Sequence, residues 1–225
     1  MDSTDYLHLQ LRLEGKSVTG GDRLHHVEEV TGEDIPLMIL ARFADGHMIA
    51  YYDESLPPEL YAGLKDRIEE CEFPMIAPLL DYLKSAEISI EVGHYKTHVF
   101  PEHIVASINP EVKGLPSDNP LVQAFGFRAF AGNVYAIERG GGIVSACMSV
   151  RENGQCGEAW VYTDPQYRHQ GFARQAVSTW AQNMLNAGKV PFYSHKMNNL
   201  ASANLAKRLD LQPIFEEINI SYKNV

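Results

Sequence analysis

The sequence predicts a mixed α/β fold, better defined in its C-terminal half than before it, and three observations carry that prediction. Residues 133–163, NVYAIERGGGIVSACMSVRENGQCGEAWVYT, read as three strands of an antiparallel meander broken at glycine-bearing turns. A strand near Val161, a helix of about sixteen residues and a strand near Phe192 then form a βαβ unit, whose strands should run parallel. Earlier, two apolar and aromatic runs meet at Asp45-Gly46 and a helical stripe follows, which gives a hairpin and a helix.

Taken in order, the chain opens on an ambiguous stretch: Leu7, Leu9, Leu11 and Leu13 alternate as on a strand, while Leu7 and Leu11 also share a helical face. His25-His26 reads as a loop pair. After the Asp45-Gly46 hairpin, Pro57 and Pro58 suit a first helical turn, and Leu60, Leu64 and Ile68 fall on one buried stripe. A second short helix is expected in MIAPLLDYLKSAE, interrupted or started by Pro78. SINPEVKGLPSDNP, residues 107–120, holds Pro110, Pro116 and Pro120 among turn-forming residues and reads as a linker. It divides a smaller α/β region, 1–106, from a domain at 121–225.

In that second part the meander turns fall at Gly140-Gly141-Gly142 and at Asn153-Gly154. The triple glycine has no lysine and no helix after it, so it is a flexible turn and not a phosphate loop. A helix beginning at Gly171 buries Ala173, Val177, Trp180 and Met184, with Gly188 to end it and Pro191 to prevent its continuation. The strand VPFYSH follows. A further helix, capped by Asn198 or Asn199, should bury Ala201, Leu205 and Leu209, and the chain closes on a strand in which Ile218, Ile220 and Tyr222 alternate.

Composition narrows the function. With 19 Lys plus Arg against 29 Asp plus Glu, the formal charge is -10, so a nucleic-acid partner is not expected. The start, MDSTDYLHLQ, lacks a basic opening and an apolar core, and no run of about eighteen apolar residues occurs, so the reading is cytoplasmic with no membrane partner. Cys71, Cys147 and Cys156 are too scattered for a disulfide framework or a paired-cysteine metal site.

One stretch asks for a chemical explanation. In YRHQGFARQAV, residues 167–177, a glycine and small or flexible neighbours stand between charged residues where a helix begins. A helix's first N–H groups have no intrahelical partner, and its dipole adds roughly half a positive charge there. Gly171 and Ala173 would let a phosphate approach the main chain closely, with Arg168 and Arg174 adding charge at the rim.

In its order of elements the chain resembles the GNAT superfamily of acetyl-CoA-dependent N-acetyltransferases over about residues 133–222. The family's strand, its V-x-x-x-P-x-Y-R-x-x-G-x-A run and its Asn-led helix match Val161, Pro165, Tyr167, Arg168, Gly171, Ala173 and Asn199. The resemblance implies a mixed sheet splayed between two parallel strands, with the pantetheine arm of coenzyme A in the gap. It implies that the backbone of Val161, Tyr162 and Thr163 pairs with the pantetheine amides. The N–H groups of His169, Gln170, Gly171, Phe172, Ala173 and Arg174 would hold the pyrophosphate, and Asn199 and Ser202 would contact the arm, although Asn199 also suits a helix cap.

Direct acetyl transfer to a primary amine in a ternary complex is what the family implies, with acetyl-CoA as co-substrate and no metal. Glu158 is the expected base, sharing a face with Trp160 and Tyr162 if the strand is regular. The family's tyrosine after the Asn-led turn is Ala206 here, so Tyr193 or Ser194 stands as the candidate donor to the departing sulfur. The usual glycine after that helix is Asp210. His94, His98 and His103 invite a metal hypothesis, but no carboxylate completes a recognised ligand spacing. The region 1–106 is expected to help line the acceptor pocket, and the acidic balance suits a cationic amine such as a polyamine, an aminoglycoside or a lysine side chain. An acyl-CoA-binding sensor or partner module without turnover is the alternative.

Overall fold

The computed structural model describes residues 1–27, 36–102, 110–126 and 132–223. In chain order the elements are α1 (Ser3–Leu13), β1 (Lys16–Thr19), β2 (Arg23–His26), β3 (Met38–Phe43), β4 (Met48–Asp53), α2 (Pro58–Ile68), α3 (Ala77–Ser85) and β5 (Ile90–Val99). They continue with β6 (Lys113–Leu115), α4 (Pro120–Phe125), β7 (Val134–Arg139), β8 (Gly142–Glu152), β9 (Cys156–Thr163), α5 (Phe172–Asn186), β10 (Val190–Lys196), α6 (Leu200–Arg208) and β11 (Gln212–Tyr222). Two compact units result, Met1–Lys96 with Ile214–Val225, and Thr97–Pro213. No helix of the described residues is long and apolar enough to cross a membrane.

In the first unit the ambiguous opening is a helix. Asp2 and Asp5 form a reciprocal capping box, which fixes the first turn and lets Leu7 and Leu11 be fully buried. His25 and His26 lie on β2 instead of in a loop, where β2 pairs antiparallel with β1 and parallel with β4. There the His25 ring nitrogen Nδ1 contacts the Glu54 carboxylate. The expected hairpin is β3–β4, antiparallel, with Gly46 at φ +87° in its turn. β11 pairs antiparallel with the other edge of β3, from Phe215↔Phe43 to Ile220↔Met38. Alternation then puts Met38, Leu40, Ile218 and Ile220 on one face, packed with Leu64 of α2 and Leu79 and Leu83 of α3.

In the second unit the three-stranded meander is β7–β8–β9, all antiparallel, with β6 pairing at the outer edge of β7. Gly140 and Gly141 both have positive φ, as a tight hairpin turn requires. The strand–helix–strand unit is β9–α5–β10. Its strands are parallel, but their paired positions are Val190↔Cys156, Pro191↔Gly157 and Phe192↔Glu158, after which both strands run on. Beyond Glu158, Ala159 to Thr163 pair with β8. The sheet therefore opens between the parallel strands, as the resemblance implied. β9 is itself regular; the extra residue is Val150 on β8, between Ser149↔Ala159 and Arg151↔Glu158.

Two helix readings change. Asn199 caps α6, its side chain accepting from Ser202 N at 3.1 Å, but Ala201 is exposed and Ala206 is buried, with Leu205 and Leu209 partly buried beside it. The inward stripe is one position round from the expected one. Within residues 107–120 lies β6, and α4 starts at the end of that stretch, with Asn119 accepting from Leu121 N at 2.9 Å and Pro120 in the first turn.

Candidate functional site

The turn after β9 is fixed by hydrogen bonds that end at Arg168 N. Asp164 accepts from Gln166 N at 2.8 Å, which shapes the short 3-10 turn of Pro165–Tyr167, and Arg168 Nε donates to Thr163 O at 3.2 Å. His169 then takes φ +63° and Gly171 φ +82°. Alternation of left-handed with right-handed residues is the backbone pattern from which anion nests are made. Phe172 anchors the start of α5, buried against Ile137 and Val144, with Tyr167 stacked at 6.5 Å and the Arg139 guanidinium 5.2 Å from its ring centre.

Among the described residues, none of the N–H groups from His169 to Arg174 has a protein acceptor, and α5 has neither a side-chain cap nor an acidic residue in its first turn. Such a helix start favours an anion by dipole and by direct donation together. A Cβ at Gly171 would meet open space, with Gln175 Nε2 at 3.8 Å, so glycine is required there by conformation and not by crowding. Arg168, His169, Gln170 and Gly171 are exposed.

The expected pantetheine-binding stretch, Val161, Tyr162 and Thr163, lies on the part of β9 that has left β10. Tyr162 O accepts from Ser145 Oγ at 3.1 Å, and Thr163 Oγ1 lies 2.8 Å from the same hydroxyl. Asn199 uses its side-chain oxygen as a cap, and Ser202 O accepts from Tyr193 OH at 3.4 Å, so the two are tied into the first turn of α6.

The three expected catalytic side chains are divided by strand alternation. Glu158, Trp160 and Tyr162 occupy one face of β9, where Trp160 packs on Val122 and Met148. Ala159 and Val161 occupy the other, against Trp180 of α5, Cys147 and Tyr193. Ser194 alternates with Tyr193 and so belongs to the Glu158 side; its hydroxyl lies 3.1 Å from Thr97 Oγ1. Glu158 is 7% exposed and forms an ion pair with Arg151. Tyr193 is 3% exposed, and burial pushes its phenol up to about 12, more than the Ser202 contact lowers it.

Tyr193 and Ala206, the position at which the resemblance led one to expect a tyrosine, belong to one buried cluster. Asp210 adopts φ +54°, keeping the left-handed turn that glycine usually makes. Of the histidines considered for metal, His94 lies 3.7 Å from Glu216 Oε2, whereas His98 Nδ1 lies 3.3 Å from Tyr193 O. His103 falls outside the described residues. No group of three or more metal-capable side chains occurs among the described residues. All three cysteines are buried free thiols, and burial raises the thiol pKa of each.

Sequence reasoning missed three features of this region. Arg151 meets Glu158 because the Val150 bulge shifts the hairpin register, which no local pattern announces. Phe125 stands edge-on to Tyr162 at 4.8 Å, and the Asn119-Pro120 start signal of α4 could have predicted it. His195, 7% exposed, stacks on His98 at 5.3 Å, a pairing between strands distant in sequence.

This turn, parallel pair and capped helix belong to a mixed α/β fold that known proteins share. The family model for GNAT acetyltransferases matches residues 124–216. That segment is less than half of the chain, and over it the chain is similar to the GNAT acetyltransferases. A GCN5-related N-acetyltransferase from Kribbella flavida superposes with TM-score 0.54 at 12% identity, covering 100% of this chain and 96% of that one. A GNAT-family protein of Novosphingobium aromaticivorans gives 0.53 at 13% identity over 97% and 96% of the two chains. A GCN5-related N-acetyltransferase-like protein of Streptococcus suis gives 0.52 at 14% over 88% and 90%. At these identities the likeness is one of fold. No curated protein matches the sequence.

Proposed function

We propose that the protein moves an acetyl group from acetyl-CoA to a primary amine by direct transfer in a ternary complex. The observation that carries this reading is the row of unmet N–H donors from His169 to Arg174, at the end of a strand that has parted from its parallel neighbour. The pyrophosphate would accept from those donors, and the pantetheine arm would take the edge of Val161, Tyr162 and Thr163 that β10 leaves, with Asn199 and Ser202 opposite. The amine nitrogen attacks the thioester carbonyl carbon, the carbon–sulfur bond breaks, and coenzyme A leaves as a thiolate.

Glu158 takes the amine proton, exchanging its Arg151 partner for the acceptor, and Tyr193 or Ser194 donates a hydrogen bond to the departing sulfur, which takes its proton from water. The thiolate, with a usual thiol pKa of about 8.5, needs little help at neutral pH, so a phenol held near 12 serves better as a hydrogen-bond donor than as a full acid. Two experiments test the reading. Isothermal calorimetry with acetyl-CoA should show saturable binding, weakened about tenfold or more in Gly171→Val, because a β-branched residue resists positive φ. Thiol release with a panel of amines should then fall by about a hundredfold in Glu158→Gln. Loss of neither binding nor rate would remove the reading.

A second reading, an acyl-CoA-binding module without turnover, is favoured by the Arg151–Glu158 pair and by Ala206. It predicts binding in the calorimeter and no thiol release with any amine.

A further inference from the structure

The face of β9 that carries Glu158 also carries the rings of Trp160 and Tyr162, which lie 6.2 Å apart and 7° from parallel. Phe125, from α4, closes on Tyr162 edge-to-face at 4.8 Å. All three rings are half-buried, in a setting whose interior is apolar: Val122, Val134, Ala136 and Met148. On the opposite face of the strand, α5 seals Ala159 and Val161 with Trp180 and the fully buried Cys147. Of the two faces of β9, the ring-bearing one is thus the face that carries Glu158 and is not sealed by α5. Glu158 is the one carboxylate of β9 itself, and it pairs with Arg151.

We propose that the acceptor is a primary amine on an aromatic or bulky apolar body with a single cationic centre, seated across Phe125, Trp160 and Tyr162 with its nitrogen at Glu158. This rests on the acetyl-transfer reading and narrows it. An ammonium approaching Glu158 gains from the carboxylate and from the ring faces, and the body behind it removes apolar surface from water against three rings. A polyamine or an aminoglycoside brings further ammonium groups into the same aromatic surroundings, where each would be stripped of water with no second carboxylate on the strand to meet it. The acidic balance of the whole chain, which suits polycations, does not describe this face.

The test compares 2-phenylethylamine with spermidine and kanamycin as acceptors, with acetyl-CoA saturating and thiol release as the readout. The expected result is a kcat/KM for 2-phenylethylamine at least about tenfold above either polycation. In Trp160→Ala the KM for 2-phenylethylamine should rise about fivefold or more, Trp160→Phe should recover most of it, and the calorimetric Kd for acetyl-CoA should stay within about twofold in both. A preference for spermidine or kanamycin, or an unchanged KM in Trp160→Ala, overturns the proposal while leaving acetyl transfer intact. If acetyl-CoA does not bind at all, the transfer reading falls, and binding of 2-phenylethylamine alone decides this one. A saturable shift of the Trp160 indole proton, absent with spermidine, sustains it, and no shift overturns it.

Discussion

Asp210 holds φ +54° at the end of α6, in a conformation that side chains other than glycine, asparagine and aspartate seldom adopt. Leu211 N still reaches Ala206 O at 3.1 Å and Asp210 N reaches Lys207 O at 3.1 Å, so the helix closes normally, and the residual cost of positive φ for a residue with a Cβ falls on Asp210 alone. Asp210→Gly should relieve that strain and raise stability by about 1 kcal/mol, seen as a higher urea midpoint with an unchanged slope. Tyr193 gives a prediction in pH. Its phenol is pushed from the ordinary 10.0 up to about 12 chiefly by burial, so folding favours the protonated form. The resulting stabilisation is full below pH 10 and is lost as the pH rises through 10 toward 12; at its limit it is worth about 2–3 kcal/mol. Tyr193→Phe should therefore flatten the alkaline fall in urea midpoint between pH 9.5 and 11.5. An equally steep fall in the variant would mean that Tyr193 does not titrate in that window.

Elements fixed by short-range chemistry were the legible ones. The β7–β8–β9 meander follows from glycine-bearing turns and alternation, and α5 from the apolar stripe through Val177, Trp180 and Met184 with Gly188 at φ +71° behind it. The turn before α5 was legible for the same reason: Gly171, at φ +82°, states its backbone need locally. α1 was not, because leucine alternation fits two periods and only the Asp2–Asp5 box decides between them. The stripe of α6 was misread by one position, since Ala201 and Ala206 differ in burial only through what α6 packs on. Its cap, however, was within the two residues expected. Asn199→Ala removes the acceptor for Ser202 N and should cost about 1 kcal/mol, with Asn199→Ser recovering most of it. If Asn199 also contacts the pantetheine arm, calorimetry will show weaker acetyl-CoA binding in both variants, whereas a pure cap would leave binding in the serine variant unchanged.

At the scale of the whole molecule the chain's last strand belongs to its first unit, and no local pattern could have said so. β11 contributes Ile214, Phe215, Ile218 and Ile220 to the buried interior of the unit formed with Met1–Lys96, while Leu211, just before it, packs in the other unit. Alternation in IFEEINISYK identified a strand; its pairing with β3 depends on a contact spanning most of the sequence. Large-to-small replacement of one buried Ile or Phe typically costs about 1–5 kcal/mol, and a domain's whole stability is about 5–15 kcal/mol. Deleting Ile214–Val225 removes four such side chains and one edge of the β3 ladder together, so the first unit should lose its cooperative fold. Hydrogen exchange would show this directly: in a chain ending at Pro213, amides of β3 and β4 should exchange near the unfolded rate. Those of β8 and β9, whose ladder lies within Thr97–Pro213, should keep most of their protection. Ile218→Ala, with a single truncated side chain, should lower protection in β3 by a graded amount instead of abolishing it. Retained protection of β3 in the shortened chain would mean that the first unit closes its core without the C-terminal strand.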